Sequence, residues 1–271
     1  MRLLVTIVEG DHDAVFVERS LQTFAGFAHY PEPLERYPAP LGGDATRYLI
    51  KYVGRSGQAR LNLRDATARP RPSITCAMHA GETIALVFES HGVDRDEAAV
   101  LVNEFVDLFG SSDVDSEFTS VAFAFITDAD TSNATARAAQ VVARHGATFG
   151  LTALTPDMWA VGAKHPALVH VFAEPGKTSG ALEHHLAPLV ELARPAEWNA
   201  ACTFIDQTTP ARSRLAGNAE RRLKALITCA GQFEHPGLAM SKMIRYEALG
   251  PEVFKTSQEA RRLAELLVNF P

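Results

Sequence analysis

The sequence predicts an α/β fold, a mostly parallel sheet with helices on both faces, with an inserted β-rich lobe and a helical C-terminal region. Two observations carry this. The apolar runs Leu3–Val8, Thr83–Glu89 and Val121–Thr127 have strand length, and each is followed by a segment whose apolar residues recur at helical spacing. Acids also come directly after two of these runs: Glu9 follows the first, and Asp128 and Asp130 follow the third. Acids there lie beyond the carboxyl ends of the strands, where open parallel sheets bind ligands.

The first run leads through Glu9-Gly10 into a helix over Asp11–Gly26, capped by Asp11 or Asp13 and stopped by Gly26. From Ala28 to Glu82 the pattern changes. Pro31, Pro33, Pro38, Pro40, Gly42 and Gly43 break any helix, and short β-like runs follow at Tyr48–Val53, Arg60–Leu63 and Ser73–Met78. This stretch, 28–82, reads as an inserted lobe of antiparallel strands. Its arginines, Arg55, Arg60, Arg64, Arg69 and Arg71, form either a phosphate-facing surface or a solvated sheet face. Beyond Thr83–Glu89, the residues Ala98, Leu101, Val102, Phe105, Leu108 and Phe109 make one helical face, with Asp94 as cap and Gly110 as stop.

The third run and its Asp-Ala-Asp precede a helix over Thr131–Ala147 and strands at Thr148–Leu154 and Ala167–Phe172. A helix over Ser179–Leu192 is expected to kink or split at Pro188. Helices are then expected at Arg214–Ala230, Ala239–Tyr246 and Ser257–Phe270. The domain reading is an α/β unit over 1–194 containing the 28–82 lobe, with the helices of 195–271 packed on the same domain.

Composition narrows the function classes. Of 271 residues, 46% are hydrophobic and 21% charged, values that exclude a disordered chain. No window approaches about 18 uninterrupted apolar residues, and Met1-Arg2-Leu3 runs directly into a strand. The expectation is a cytoplasmic protein without a membrane partner. Three widely spaced cysteines, Cys76, Cys202 and Cys229, suit buried free thiols better than disulfides or a zinc site. The net charge of -6 gives no global attraction to nucleic acid, so such contact needs a local basic patch. A few strand-end carboxylates, with no histidine or thiolate at matching spacing, suit Mg²⁺ or Mn²⁺ rather than zinc.

IVEGDHDAVFV resembles the first motif of the Toprim fold, apolar residues followed by E-G-x-x-D, and FITDADTSNATARAA resembles its D-x-D motif. The matching residues are Glu9, Gly10, Asp13, Asp128 and Asp130. Toprim domains occur in topoisomerases, bacterial-type primases, maturation proteins and nucleases of the overcoming-lysogenization-defect type. The resemblance implies a Rossmann-like sheet, Glu9 as general acid/base, and the aspartates as metal ligands. EPGKTSGALEHHL, KALI and QFEHPG extend the likeness to a little-characterised family of stand-alone prokaryotic Toprim-related proteins. Members usually have Pro-Asp where this chain has Glu174-Pro175, and Glu-Asp where it has Glu183-His184. The third acid is therefore Glu183 or Glu174, with Glu183 preferred.

The bland readings stand beside these. Asp13 serves the metal or merely caps its helix, and Lys224 contacts phosphate or is a snorkelling stem. The leading expectation is a metal-dependent phosphodiester hydrolase, a nuclease on DNA or RNA, with Glu9, Asp128 and Asp130 catalytic and Glu9, Asp13, Asp128, Asp130 and Glu183 around the metal. Lys224 and Arg64 are the candidate phosphate contacts. The alternatives are a non-catalytic or partner-gated Toprim subunit of a phage-defence system, controlled by a separate ATPase since this chain lacks a GxxxxGK[ST] loop, and a metal-dependent enzyme on a small phosphorylated substrate. The sequence leaves self-association into a homo-oligomer open.

Overall fold

Four of the apolar runs lie side by side as parallel strands. The computed structural model describes residues 1–32, 36–42, 73–110, 116–208, 218–233, 239–245 and 249–271. Its sheet has the order β2 (Ala28–His29), β3 (Ser73–Ala80), β4 (Thr83–Glu89), β1 (Arg2–Val8), β5 (Ser120–Asp128), β7 (Pro166–Phe172) and β6 (Ala160–Val161). Strands β4, β1, β5 and β7 run parallel, whereas β3 joins β4, β2 joins β3 and β6 joins β7 antiparallel. The short runs at the two ends of the 28–82 stretch, including the expected Ser73–Met78, thus extend the central sheet at one edge. The expected strands at Tyr48–Val53 and Arg60–Leu63, and all five arginines of that stretch, lie outside the described residues.

Strand β1 reads as nearly continuous apolar sequence because both of its faces are covered. Leu3, Val5 and Ile7 enter one core, while Leu4 and Val8 enter the other. On the second face lies α1 (Asp11–Ala25), and on the first lie α2 (Asp96–Gly110) and α3 (Ala134–Phe149). The remaining helices, α4 (Glu183–Ala193), α5 (Pro195–Thr208), α6 (Ala219–Gln232), α7 (Met240–Arg245), α8 (Pro251–Phe254) and α9 (Gln258–Val268), pack on the α1 side and share its core. Among the described residues no helix is long and apolar enough to cross a membrane. All three cysteines are free thiols; Cys76 is buried, and Cys202 and Cys229 are half-buried against the core.

Two expectations are corrected. The segment Thr148–Leu154 is not a strand: α3 continues to Phe149, whose ring centroid lies 5.0 Å from that of Phe123 and 6.1 Å from that of Phe125. Gly146 does not stop this helix. A Cβ there would stand 2.5 Å from the Leu151 carbonyl oxygen, so the glycine permits a close return of the chain, and Gly150, at φ 71°, ends the helix instead. The helix expected from Ser179 begins only at Glu183 and runs unbroken through Pro188. Its start is delayed because the backbone of Gly180 and Leu182 is hydrogen-bonded to the end of β5.

His170, fully buried on β7, ties the sheet to α9. Its Nδ1 is 2.7 Å from Asp157 Oδ1 and its Nε2 is 3.1 Å from Glu259 Oε1. Burial alone would lower the imidazole pKa, but the two acids outweigh it and raise it. On the same side, Phe16 of α1 meets Phe172 at 5.6 Å and Phe254 at 5.5 Å, both edge-on, and joins sheet, first helix and C-terminal helices in one contact. Phe16→Ala should cost about 3–5 kcal/mol in denaturant unfolding, and Phe16→Leu markedly less. Equal losses would show that the ring contacts, rather than the filled volume, hold this junction.

Candidate metal centre

Val8 pairs with Glu89 of β4 and Ile126 of β5, so Glu9 leaves the sheet one residue beyond, beside Thr127, whose hydroxyl donates to Glu9 Oε1. The chain turns at once into α1. Gly10, in extended conformation, is its N-cap, and the Gly10 amide donates to Asp13 Oδ2 at 2.8 Å. Asp13 therefore does cap its helix, with one oxygen. The other, Oδ1, is buried without a hydrogen-bond partner.

Asp128 ends β5, and its Oδ1 accepts the Leu182 amide at 2.9 Å. Asp130 exchanges two backbone hydrogen bonds with Gly180, of 2.7 and 2.9 Å. Its φ of 51° is rare for a residue with a side chain, and Gly180 is required opposite it: at φ 129°, a Cβ there would stand 2.4 Å from the Glu174 nitrogen. This backbone pairing delivers Glu183, the first residue of α4, to the end of β5, where it is buried.

Four carboxylates thus meet at the carboxyl edge of β1 and β5, and their electrostatics show it. Burial, then Asp13 and Glu183, push Asp128 well above the usual carboxylate range, although the Leu182 amide opposes this. Burial also raises Asp13 against His12 and the Gly10 amide, and Glu183 adds to the rise. Burial lifts Glu9 to about 7 despite Thr127 and Arg137. The compensating cation is Lys224 of α6, whose Nζ is 3.0 Å from Glu183 Oε1. Burial opposes its charge, but Glu183, Asp128 and Asp13 together raise its pKa.

Not every expected residue joins this cluster. Asp130 turns to Arg137, whose Nη2 donates at 2.6 Å while its Nε donates to the Asp128 carbonyl at 2.7 Å. Glu174 pairs with Lys177 at 2.7 Å and lies 3.4 Å from His184, away from the other acids, so Glu183 is the third acid that the fold brings in. Arg64 lies outside the described residues. Sequence reasoning missed three groups. Arg137, 3.6 Å from Glu9 Oε1, comes seven residues after Asp130 and carries no motif signal. Glu89 ends β4 as Glu9 follows β1, and that parallel was readable; burial raises its pKa against His91, and Asp11 and Asp13 add to the rise. His12 sits inside E-G-x-x-D, with Nε2 3.6 Å from Asp13 Oδ1 and 3.5 Å from Glu183 Oε1.

The donor chemistry fits a hard dication: buried carboxylates that repel one another, one with an unpartnered oxygen. Among the described residues, however, no three His, Cys, Asp or Glu side chains are already grouped as a ligand set. Lys224 and Arg137 hold the acids as ion pairs instead.

The Glu9 shift has a sign that can be measured. Between its ordinary value of 4.5 and the folded value of about 7, the folded chain keeps a proton that the unfolded chain has lost, so stability falls as pH rises through this window. Glu9→Gln should remove that fall. The side chain is 24% exposed, so about 2 kcal/mol of relative gain between about pH 5 and pH 8 is expected, below the roughly 3 kcal/mol that the full shift would carry. Denaturant unfolding at both pH values measures it, and a parallel pH dependence in variant and wild type would assign the proton elsewhere.

No family profile matches the chain, and no curated protein matches it either. Among solved structures, the crystal structure of a protein described as hypothetical, from Pyrococcus horikoshii OT3, is similar over 99% of this chain and 100% of its own, with a TM-score of 0.60 and 14% identity. That likeness supports the α/β fold, with its mostly parallel sheet between helical layers, over the whole length.

Proposed function

We propose that this chain is a Mg²⁺- or Mn²⁺-dependent phosphodiester hydrolase that acts on nucleic acid, DNA or RNA, through a Toprim-like carboxylate site. The observation that carries the reading is the convergence of Glu9, Asp13, Asp128 and Glu183 at the carboxyl edge of two adjacent central strands, with Asp13 Oδ1 buried and unpartnered. Asp13, Asp128 and Glu183 are the residues to hold a cation. When bound, it supplies charge neutralisation at phosphate oxygens and a more acidic water. Glu9, with its pKa lifted to about 7, is suited to take and return a proton near neutral pH, and Thr127 and Arg137 fix its carboxylate. Lys224, half-exposed and already at the acids, is placed to meet a phosphate. Asp130 orients Arg137 rather than joining the acids.

One observation favours a second reading, a Toprim subunit gated by a separate ATPase partner. Lys224 and Arg137 already neutralise Glu183, Asp130 and Glu9 within the chain, which suits a site that stays silent until a partner rearranges it.

Incubation with single- and double-stranded DNA and RNA in Mg²⁺ or Mn²⁺ tests the first reading. Cleavage by the wild type is expected to fall at least about 100-fold in Glu9→Gln and in Asp128→Asn; cleavage that survives both substitutions would sink the assignment. A wild type that binds Mn²⁺ but cleaves nothing, with binding lost in Asp128→Asn, would move the conclusion to the gated subunit.

A further inference from the structure

Every acid of the expected metal set comes from the E-G-x-x-D and D-x-D motifs or from α4, but an imidazole stands between two of them. His12 stands in the first turn of α1, immediately before Asp13. Its Nε2 lies 3.6 Å from Asp13 Oδ1 and 3.5 Å from Glu183 Oε1. Both oxygens are buried, on residues 3% and 1% exposed, and Asp13 Oδ1 has no hydrogen-bond partner. Glu183 Oε1 has the ion pair with Lys224 described above.

The spacing suits coordination. Two donors each about 2.1 Å from one ion, at the angles of an octahedron or a tetrahedron, stand about 3.0–3.4 Å apart. A shift of a few tenths of an ångström therefore brings His12 to coordination spacing from each oxygen, although the three are not grouped as a ligand set before a cation draws them together. The first turn of α1 is anchored for this by the Gly10 amide on Asp13 Oδ2, which leaves Oδ1 directed elsewhere. Lys224 must give way, and with half of its side chain in solvent it can swing out on its flexible stem.

We infer that His12 Nε2 is itself a metal ligand, with Asp13 and Glu183, and that this nitrogen makes the site one for a transition-metal dication such as Mn²⁺ in preference to Mg²⁺. Imidazole stabilises first-row transition ions, whereas Mg²⁺ favours an all-oxygen shell and keeps its waters. The inference rests on the metal-centre reading above and goes beyond it in naming the nitrogen and the selectivity. The competing role for His12 is a protonated counterion shared by the two acids, and it predicts the opposite response to mutation. Removing a competing positive charge would tighten Mg²⁺ and Mn²⁺ binding alike.

The test uses the full chain with Mn²⁺ and Mg²⁺ alone. Calorimetric titration of the wild type should give Mn²⁺ binding at least about tenfold tighter than Mg²⁺. Pulsed electron paramagnetic resonance of the Mn²⁺ complex should show nitrogen modulation, altered when the histidines carry ¹⁵N. In His12→Gln, the modulation should vanish and Mn²⁺ affinity fall about 10–100-fold while Mg²⁺ affinity stays within about threefold. Circular dichroism checks that this variant is folded, and the isotope experiment on the wild type stands without any variant. Mn²⁺ binding that depends on Asp128 but shows no nitrogen modulation, or His12→Gln binding both ions as well as or better than the wild type, would overturn the role of His12 and leave the metal centre standing. No binding of either ion by the wild type would overturn both.

Discussion

Carboxylates withdrawn from water beside one another are the constraint to which this edge of the molecule answers. Each buried negative charge is costly, and each neighbour of like charge adds to the cost, unless donors and cations offset it. The offsets come from across the chain. The Gly10 and Leu182 amides serve Asp13 and Asp128, the Thr127 hydroxyl and Arg137 serve Glu9, and Lys224 serves Glu183. The last of these explains why α6 matters to a site built on β1 and β5: the helix carries the ammonium that the buried glutamate needs. Apolar side chains of similar volume would often hold such a place as well or better, so these buried acids are not what makes the edge stable.

The sheet order makes the arrangement geometrically simple. β1 and β5 are adjacent although 118 residues separate Glu9 from Thr127, because β4 pairs on one side of β1 and β5 on the other. The chain leaves β1 toward one face through α1 and reaches β5 over the other through α2, so the connections diverge above the ends of the central strands. A crevice at this divergence is where open α/β sheets take ligands. The acids thus occupy a place that the topology provides, and the neighbouring helices only shape it.

Much of this was legible in the sequence, for identifiable reasons. Fully buried parallel strands leave uninterrupted apolar runs, so β1, β4, β5 and β7 stood out, and with them the acids that follow β1 and β5. Glu183 was reachable through the family resemblance but not through pattern, because its place depends on the backbone pairing of Asp130 with Gly180, 50 residues apart. The separation of Asp130 from the other acids was hidden for the same kind of reason, since a positive φ and an arginine one turn into α3 decide where its carboxylate points. Thr148–Leu154 misled because β-branched and aromatic residues suggest strand, whereas Phe149 is held as the last turn of a helix by Phe123 and Phe125. Glu89 and His12 were in plain view and were passed over, one for lack of a second acid nearby in sequence, the other as a spacer inside a motif.

The pair of backbone hydrogen bonds between Asp130 and Gly180 acts as a clasp. It fastens the turn after β5 to the segment that leads from β7 into α4, so Asp128, Leu182 and Glu183 travel together as one jaw. Glu9 and Asp13 belong to the other jaw, through β1 and the capped start of α1. Across the gap run the imidazole of His12 and the side chain of Lys224, both soft contacts beside the clasped backbone. Any widening of this edge that keeps the clasp therefore separates His12 and Lys224 from Glu183 before it disturbs a backbone hydrogen bond.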